Sequence, residues 1–243
     1  MPTGPGQMAL DLPSRPALGR EDFFVSEPNR LALAQIDAWP DWPSGRLAVA
    51  GPPGSGKTHL AHVWASRAAA RILSAASLAG VDPGGIAGDA ALAVEDVDRL
   101  AGLPAPTGRA AEEALFHLCN RLAAGGGSLM VSGQTPPTRW RLALPDLASR
   151  LAVAPVATLA PPDDALLAAV LVKLFGDRGV GVTPAVIRFL VARIDRSFEA
   201  AEAIVARLDR AGLAQGRPIT VPLAAAALGE PEASPADPPR IGE

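Results

Sequence analysis

The residues that most constrain this chain are 51–58, Gly-Pro-Pro-Gly-Ser-Gly-Lys-Thr. The apolar run Leu47-Ala48-Val49-Ala50 precedes them, and a helix-like stretch over 57–70 follows. A G-x-x-x-x-G-K-T sequence in that setting reads as strand, loop and helix in succession. The glycines let successive backbone N–H groups curl round a phosphate, and the helix directs its positive dipole end at it. On this reading Gly51, Pro52, Pro53, Gly54, Ser55 and Gly56 form the cradle. Lys57 reaches the β- and γ-phosphates, and the Thr58 hydroxyl holds Mg²⁺. The expected ligand is a nucleoside di- or triphosphate.

With 243 residues, 49% of them hydrophobic, the chain can bury one ordinary core and a smaller second one. A net charge of −3 gives no basic surface for broad contact with nucleic acid. Cys119 is the single cysteine, which excludes an internal disulfide framework and fits a reducing cytosol. No apolar run approaches the ~18 residues that span a bilayer, and no signal-peptide pattern opens the chain. The expectation is a soluble cytoplasmic protein with no membrane partner.

The pattern along the chain divides it into four parts. Residues 1–20 are Pro- and Gly-rich and read as a flexible leader, interrupted by the apolar cluster Gln7-Met8-Ala9-Leu10-Asp11-Leu12. Residues 21–160 alternate helices and short apolar strands: a helix with Leu31, Leu33, Ile36 and Trp39, then strands at 47–50, 71–73, 92–94, 128–132 and 156–159. An amphipathic helix over 110–124 carries Leu115, Leu118 and Leu122 on one face. Strands separated by helices predict an α/β fold with a parallel sheet. Residues 161–229 are helical only, near 163–176, 184–193, 196–212 and 222–228, and read as a small lid. Residues 230–243 are Pro-, Ala- and acid-rich and are expected to be disordered.

A phosphate loop needs acidic residues at the end of a neighbouring strand to orient metal and water. Glu95 and Asp96, after Leu92-Ala93-Val94, stand there, with Glu95 as a candidate Mg²⁺ ligand through the nucleotide; a solvated acidic strand end is the simpler alternative. Gln134 and Thr135, after Ser132, form a polar turn near the expected γ-phosphate. Arg150 is expected to follow a short surface helix and could reach a nucleotide on a neighbouring subunit, or be an ordinary surface arginine. Arg196 is expected to begin the third lid helix, touching phosphates or pairing with Asp195 or Glu199. His59, His62 and His117 lack a third clustered ligand and read as packing residues rather than a metal site.

These segments resemble the AAA+ domain of the bacterial replication initiator DnaA. The loop and its helix from Gly51 to His62, including His59, match that family's motif, as do Phe23-Phe24-Val25 with Asn29 and Ala32 at the start of its adenine pocket. Phe116-His117 with Asn120, and Val131-Ser132 with Pro136, match the stretch around its sensor strand. The resemblance runs over about residues 20–229 and implies a three-layer P-loop fold with a helical lid. It makes Phe24, Val25 and His59 nucleotide contacts, Arg150 an arginine finger and Arg196 a sensor arginine. The initiator's helix-turn-helix domain is not expected after the lid. Leu144 to Leu151 is similar to the finger segment of the Hda (HdaA-like) family, and Gln7, Met8, Leu10 and Leu12 resemble that family's clamp-binding peptide.

That resemblance implies a negative regulator of replication initiation. Such a protein carries ADP or ATP with Mg²⁺, docks on the DNA polymerase III sliding clamp (β), and meets DNA only through it. There Arg150 completes hydrolysis of ATP on DnaA, an effect worth roughly 10³–10⁵ in rate for fingers in other systems. Self-association, as a dimer, is expected because AAA+ domains place nucleotides at subunit interfaces. Two alternatives stay open: an autonomous ATPase of the helicase-loader (DnaC-like) type, in which Lys57, Glu95, Asp96 and Arg150 serve its own oligomer, and a direct DNA anchor.

Overall fold

The computed structural model describes residues 27–229. The leader, the candidate clamp peptide with Gln7, Met8, Leu10 and Leu12, the adenine-pocket residues Phe24 and Val25, and the C-terminal tail lie outside them.

Short apolar strands without alternation fit a sheet covered on both faces. Strand β1 (Arg46–Ala50) is buried along its whole length, as is β4 (Ser128–Gly133). With β2 (Arg71–Ser74), β3 (Ala91–Glu95) and β5 (Val156–Thr158) they form a five-stranded sheet, ordered β2-β3-β4-β1-β5, in which every pairing is parallel. The C-terminal ends of β1, β3 and β4 therefore share one edge, where Ala50 faces Gly133 and Glu95 lies in the neighbouring β3.

Each face of the sheet has its own core. On one side pack helix α1 (Glu27–Asp37) and the loop helix α2 (Lys57–Ala68), with Ile36, Leu60, Val63 and Trp64 against Leu47, Val49 and Met130. Of the apolar residues expected in α1, Leu33 and Ile36 are buried, together with Ala32, but Leu31 is 75% exposed and Trp39 lies beyond the helix end at Asp37. Three tryptophans close this layer. Trp42 stacks on Trp64 at 5.0 Å between centroids, and Trp39 meets Trp64 edge-on at 6.4 Å. The Trp39 and Trp42 indoles donate to Ser128 Oγ and the Gln35 carbonyl, which keeps their polar edges satisfied.

On the other side lie α3 (Thr107–Gly125) and α4 (Pro145–Ala152), with Leu115, Leu118, Cys119, Leu147 and Leu151 against Ala48, Leu129 and Val131. The stripe Leu115, Leu118, Leu122 is buried as its spacing predicts. Arg150 sits within the last turn of α4 rather than beyond a helix. Close approach at the foot of α3 requires glycine: a Cβ at Gly125 would lie 2.3 Å from the Gly88 backbone.

The helical lid consists of α5 (Asp164–Asp177), α6 (Pro184–Val191), α7 (Phe198–Gln215) and α8 (Val221–Leu228). Its core of Leu167, Leu171, Phe175, Leu190, Ile204, Val205 and Leu208 is separate from the two sheet cores. The side chains of Asp163, Ser197 and Thr220 accept backbone N–H groups at the starts of α5, α7 and α8. Arg196 thus precedes α7, whose N-cap is Ser197, instead of opening it.

Candidate functional site

The loop after β1 leaves the sheet at Gly51, whose N–H donates to the Gly133 carbonyl at 3.2 Å. Gly54 and Gly56 adopt φ of +66° and +95°, left-handed values open to glycine at little cost. Gly56 hands the chain directly to α2. Lys57 is buried at the helix start, and its ammonium donates to the Gly51 and Pro52 carbonyls, both at 2.8 Å. Burial lowers its pKa below the usual 10.5; Asp96 and Asp98 oppose that shift, Arg99 adds to it, and Glu95 opposes it least. Thr58 is exposed beside it, its hydroxyl available to a cation.

The lid sits on this loop. The Phe198 N–H donates to the Gly54 carbonyl at 2.8 Å. A Cβ on Gly54 would lie 2.4 Å from the Ser197 Cβ, and one on Gly56 would lie 2.8 Å from the Phe198 ring. Between loop and lid runs a cleft of about 480 Å³. Gly54, Gly56, Lys57, Thr58 and His59 line one wall, Asp96 and Arg99 a second, and Phe198, Glu199 and Glu202 the third. Arg196 does not line it; its guanidinium pairs with Asp164 at 2.9 Å, an exposed contact at the start of α5.

The strand ends beside the loop are tied together. Asp96 takes a left-handed φ of 58°, its N–H donates to the buried Ser132 Oγ at 3.2 Å, and its carboxylate meets Arg99 at 3.5 Å. The Gln134 N–H donates to Asp98 Oδ2 at 2.8 Å, and Trp140 Nε1 donates to the Thr135 carbonyl at 2.7 Å. The Gln134–Thr135 segment is thus a pinned turn. Glu95 Oε1 is buried without a hydrogen-bond partner among the described residues. Asp96 lines the cleft, and Glu95, at the end of β3, does not.

This donor set fits a nucleotide and its cation. Buried carboxylate oxygen without a donor is costly unless a cation or water faces it. Mg²⁺ keeps most of its waters and takes few protein ligands, so Thr58 with Asp96 or Glu95 behind water is sufficient. A site built wholly from side chains is not present: among the described residues no group of three His, Cys, Asp or Glu is placed to hold a metal.

Arg150 is not in this cleft. It lies in the α3/α4 layer, across the sheet from α2, and its carbonyl accepts from Arg46 Nη1 at 3.4 Å. Arg46 begins β1 and Gly51 follows its end, a separation of about 13–17 Å along the strand. The guanidinium carbon rests 5.2 Å from the centroid of the Phe116 ring on α3. Arg99, Phe198 and Glu202 escaped the sequence reading, and Glu199 entered it only as a possible partner of Arg196. Arg99 follows Asp96 by three residues, a signal available in the sequence; the lid residues had none, because their approach depends on how the lid docks.

The described residues contain no helix long and apolar enough to cross a membrane. A family model described as "Hda, lid domain" matches residues 164–228. Domain III of the Thermotoga maritima replication initiation protein DnaA superposes with a TM-score of 0.75 at 19% identity, covering 90% of this chain and 98% of that one. AMPPCP-bound DnaA from Aquifex aeolicus gives 0.65 at 18%, covering 82% and 67%. The Thermotoga maritima RuvB Holliday junction branch migration motor gives 0.62 at 20%, covering 87% and 71%. At these identities the solved structures speak for the fold, which is the AAA+ fold, and the lid model supplies the narrower relationship. The chain thus carries a segment that matches the Hda lid family, joined to a core with the fold of DnaA domain III.

Proposed function

We propose that this protein is a negative regulator of replication initiation that holds ADP or ATP with Mg²⁺ in its own loop and supplies Arg150 to ATP bound by DnaA. The observation that carries this is the position of Arg150: it lies across the sheet from its own loop helix, and an aromatic ring holds it where a partner can meet it. A finger so placed serves a neighbouring nucleotide. Its guanidinium stabilises charge on the transferring phosphoryl oxygens.

In its own cleft, Lys57 and the loop N–H groups bind phosphate, Thr58 faces the cation, and Asp96 with Glu95 at the end of β3 orients water around that cation. His59 lies along the same wall. Arg196 would reach a phosphate only by leaving Asp164. Phe198 lies against the loop, so the nucleotide bridges core and lid and serves chiefly to hold them together. Docking on the sliding clamp through Gln7, Met8, Leu10 and Leu12, adenine contact by Phe24 and Val25, and pairing as a dimer complete the proposal.

The test is hydrolysis of ATP on DnaA in the presence of DNA-loaded clamp. Wild-type protein should stimulate it, and Arg150→Ala should lose the stimulation by about 10³-fold or more while binding ADP normally. Full stimulation by Arg150→Ala would remove the trans finger. Changing Gln7 and Leu10 to alanine should abolish retention on immobilised clamp. Vigorous turnover by the protein alone, lost in Lys57→Ala, would favour the helicase-loader type of ATPase instead.

A further inference from the structure

We infer that Glu112 is a positioning residue for the Arg150 guanidinium, and this rests on the proposed role of that arginine. Glu112 lies on α3 and is 2% exposed, a buried carboxylate with no ion-pair partner among the described residues. Its two oxygens accept the backbone N–H groups of Ala143 at 3.0 Å and Leu144 at 2.7 Å. Leu144 is the N-cap of α4, and no side chain of its own segment caps that helix. A buried carboxylate therefore does for the N-cap N–H what the glutamate of a capping box ordinarily does, from 31 and 32 residues away in sequence.

The chemistry favours a carboxylate there. Two N–H donors and a helix N-terminus both stabilise negative charge. One turn along α3, Phe116 carries the ring beneath the Arg150 guanidinium. One further turn on, the Cys119 carbonyl accepts from Arg46 Nη2 at 3.5 Å, and the other arm of that guanidinium donates to the Arg150 carbonyl. One stripe of α3 thus fixes the start of α4, the finger side chain and, through Arg46, the finger backbone. A generic helix cap would need only the first of these contacts. The arginine is presented already ordered, so less freedom is lost when it meets a partner's phosphates.

Glu112→Gln tests this because an amide nitrogen must then face one of two N–H donors while the volume is kept. Misplacement of about 1 Å costs on the order of 10²-fold in rate. We expect the saturating rate of DnaA–ATP hydrolysis to fall by about 10- to 100-fold, with half-saturating concentration and ADP affinity little changed. Independently of any partner, the ¹⁵Nε–Hε relaxation of Arg150 should shift toward faster motion. Glu112→Asp, which keeps the charge and retracts it by one methylene, should fall between the two and serves if the glutamine variant does not fold. Wild-type Arg150 dynamics and a wild-type saturating rate in a folded variant would overturn the inference. Loosened Arg150 with Arg150→Ala still fully stimulatory would leave the positioning intact and overturn the functional reading beneath it.

Discussion

The two ends of β1 are built by different means. At the Gly51 end the chain is shaped by glycine backbone, and a lid from more than 140 residues later rests on it through one N–H and one ring. At the Arg46 end a short helix is held by buried side-chain charges, Glu112 at its start and Arg46 near its finish. The first construction can open, since what touches the loop belongs to a unit with its own core. The second cannot move without exposing Leu147 and Leu151 and leaving a carboxylate unpaired. The difference suits one end to exchanging a ligand and the other to presenting a fixed group.

The sharpest way to break this comparison is to delete the charged group at each end. Arg150→Ala should cost about 10³-fold or more in stimulated hydrolysis and leave nucleotide affinity alone. Lys57→Ala should weaken ADP by about 10- to 100-fold, the worth of a charged hydrogen bond, in equilibrium dialysis. Equal losses in both assays from either variant would show that the two ends do not act separately.

Packing comes next. Trp64→Ala should lower stability by about 3–5 kcal/mol in urea unfolding, through the layer behind the loop. Gly54→Ala should cost less, about 1–3 kcal/mol of strain, and act at the lid, because its new methyl meets Ser197. Faster hydrogen exchange confined to the start of α7 is the expected signature; uniform loosening would contradict a separable lid.

The smallest effects are protonic. Lys57 has a lowered pKa in the unliganded protein, and a bound phosphate raises it. Nucleotide binding is therefore strongest below that lowered value and weakens as pH rises through it toward 10.5. In the unliganded protein the sign is opposite: the unfolded state holds this proton more tightly, so stability from Lys57 grows with pH over the same window. Calorimetry in buffers of different ionisation enthalpy should register proton uptake on binding. Cys119, pushed up to about 11 by burial, should remain unreactive to thiol reagents until the protein unfolds.

Most of the sheet was legible because its strands are short apolar runs with helices between them, and a phosphate loop fixes its neighbours. The placement of Lys57 and Thr58 at the start of the helix after the loop was legible for the same reason. Leu31 misled because a helix this short can bury Ala32 and Ile36 with a small rotation of its apolar face. Glu112 was invisible because its partners are main-chain groups distant in sequence, and no side-chain pattern announces an acceptor of that kind. The pairing of Arg196 with Asp164, and the arrival of Glu199 and Glu202 at the cleft, depend on the docking angle of the lid, which no local periodicity encodes.

The tryptophan layer behind the loop also determines how the molecule emits light. The chain has 4 tryptophans and no tyrosine. Trp39, Trp42 and Trp64 are gathered between α1, α2 and the sheet, and Trp140 packs against Gly133 beside the loop. Three of the four tryptophans thus lie toward the start of β1 and β4, beneath the α1/α2 layer, the fourth lies in the α3/α4 layer, and none lies in the lid. Movement of the lid alone would therefore pass nearly dark, while rearrangement of the helix that carries Arg150 would be reported by Trp140, which packs in the same core as Leu147 and Leu151.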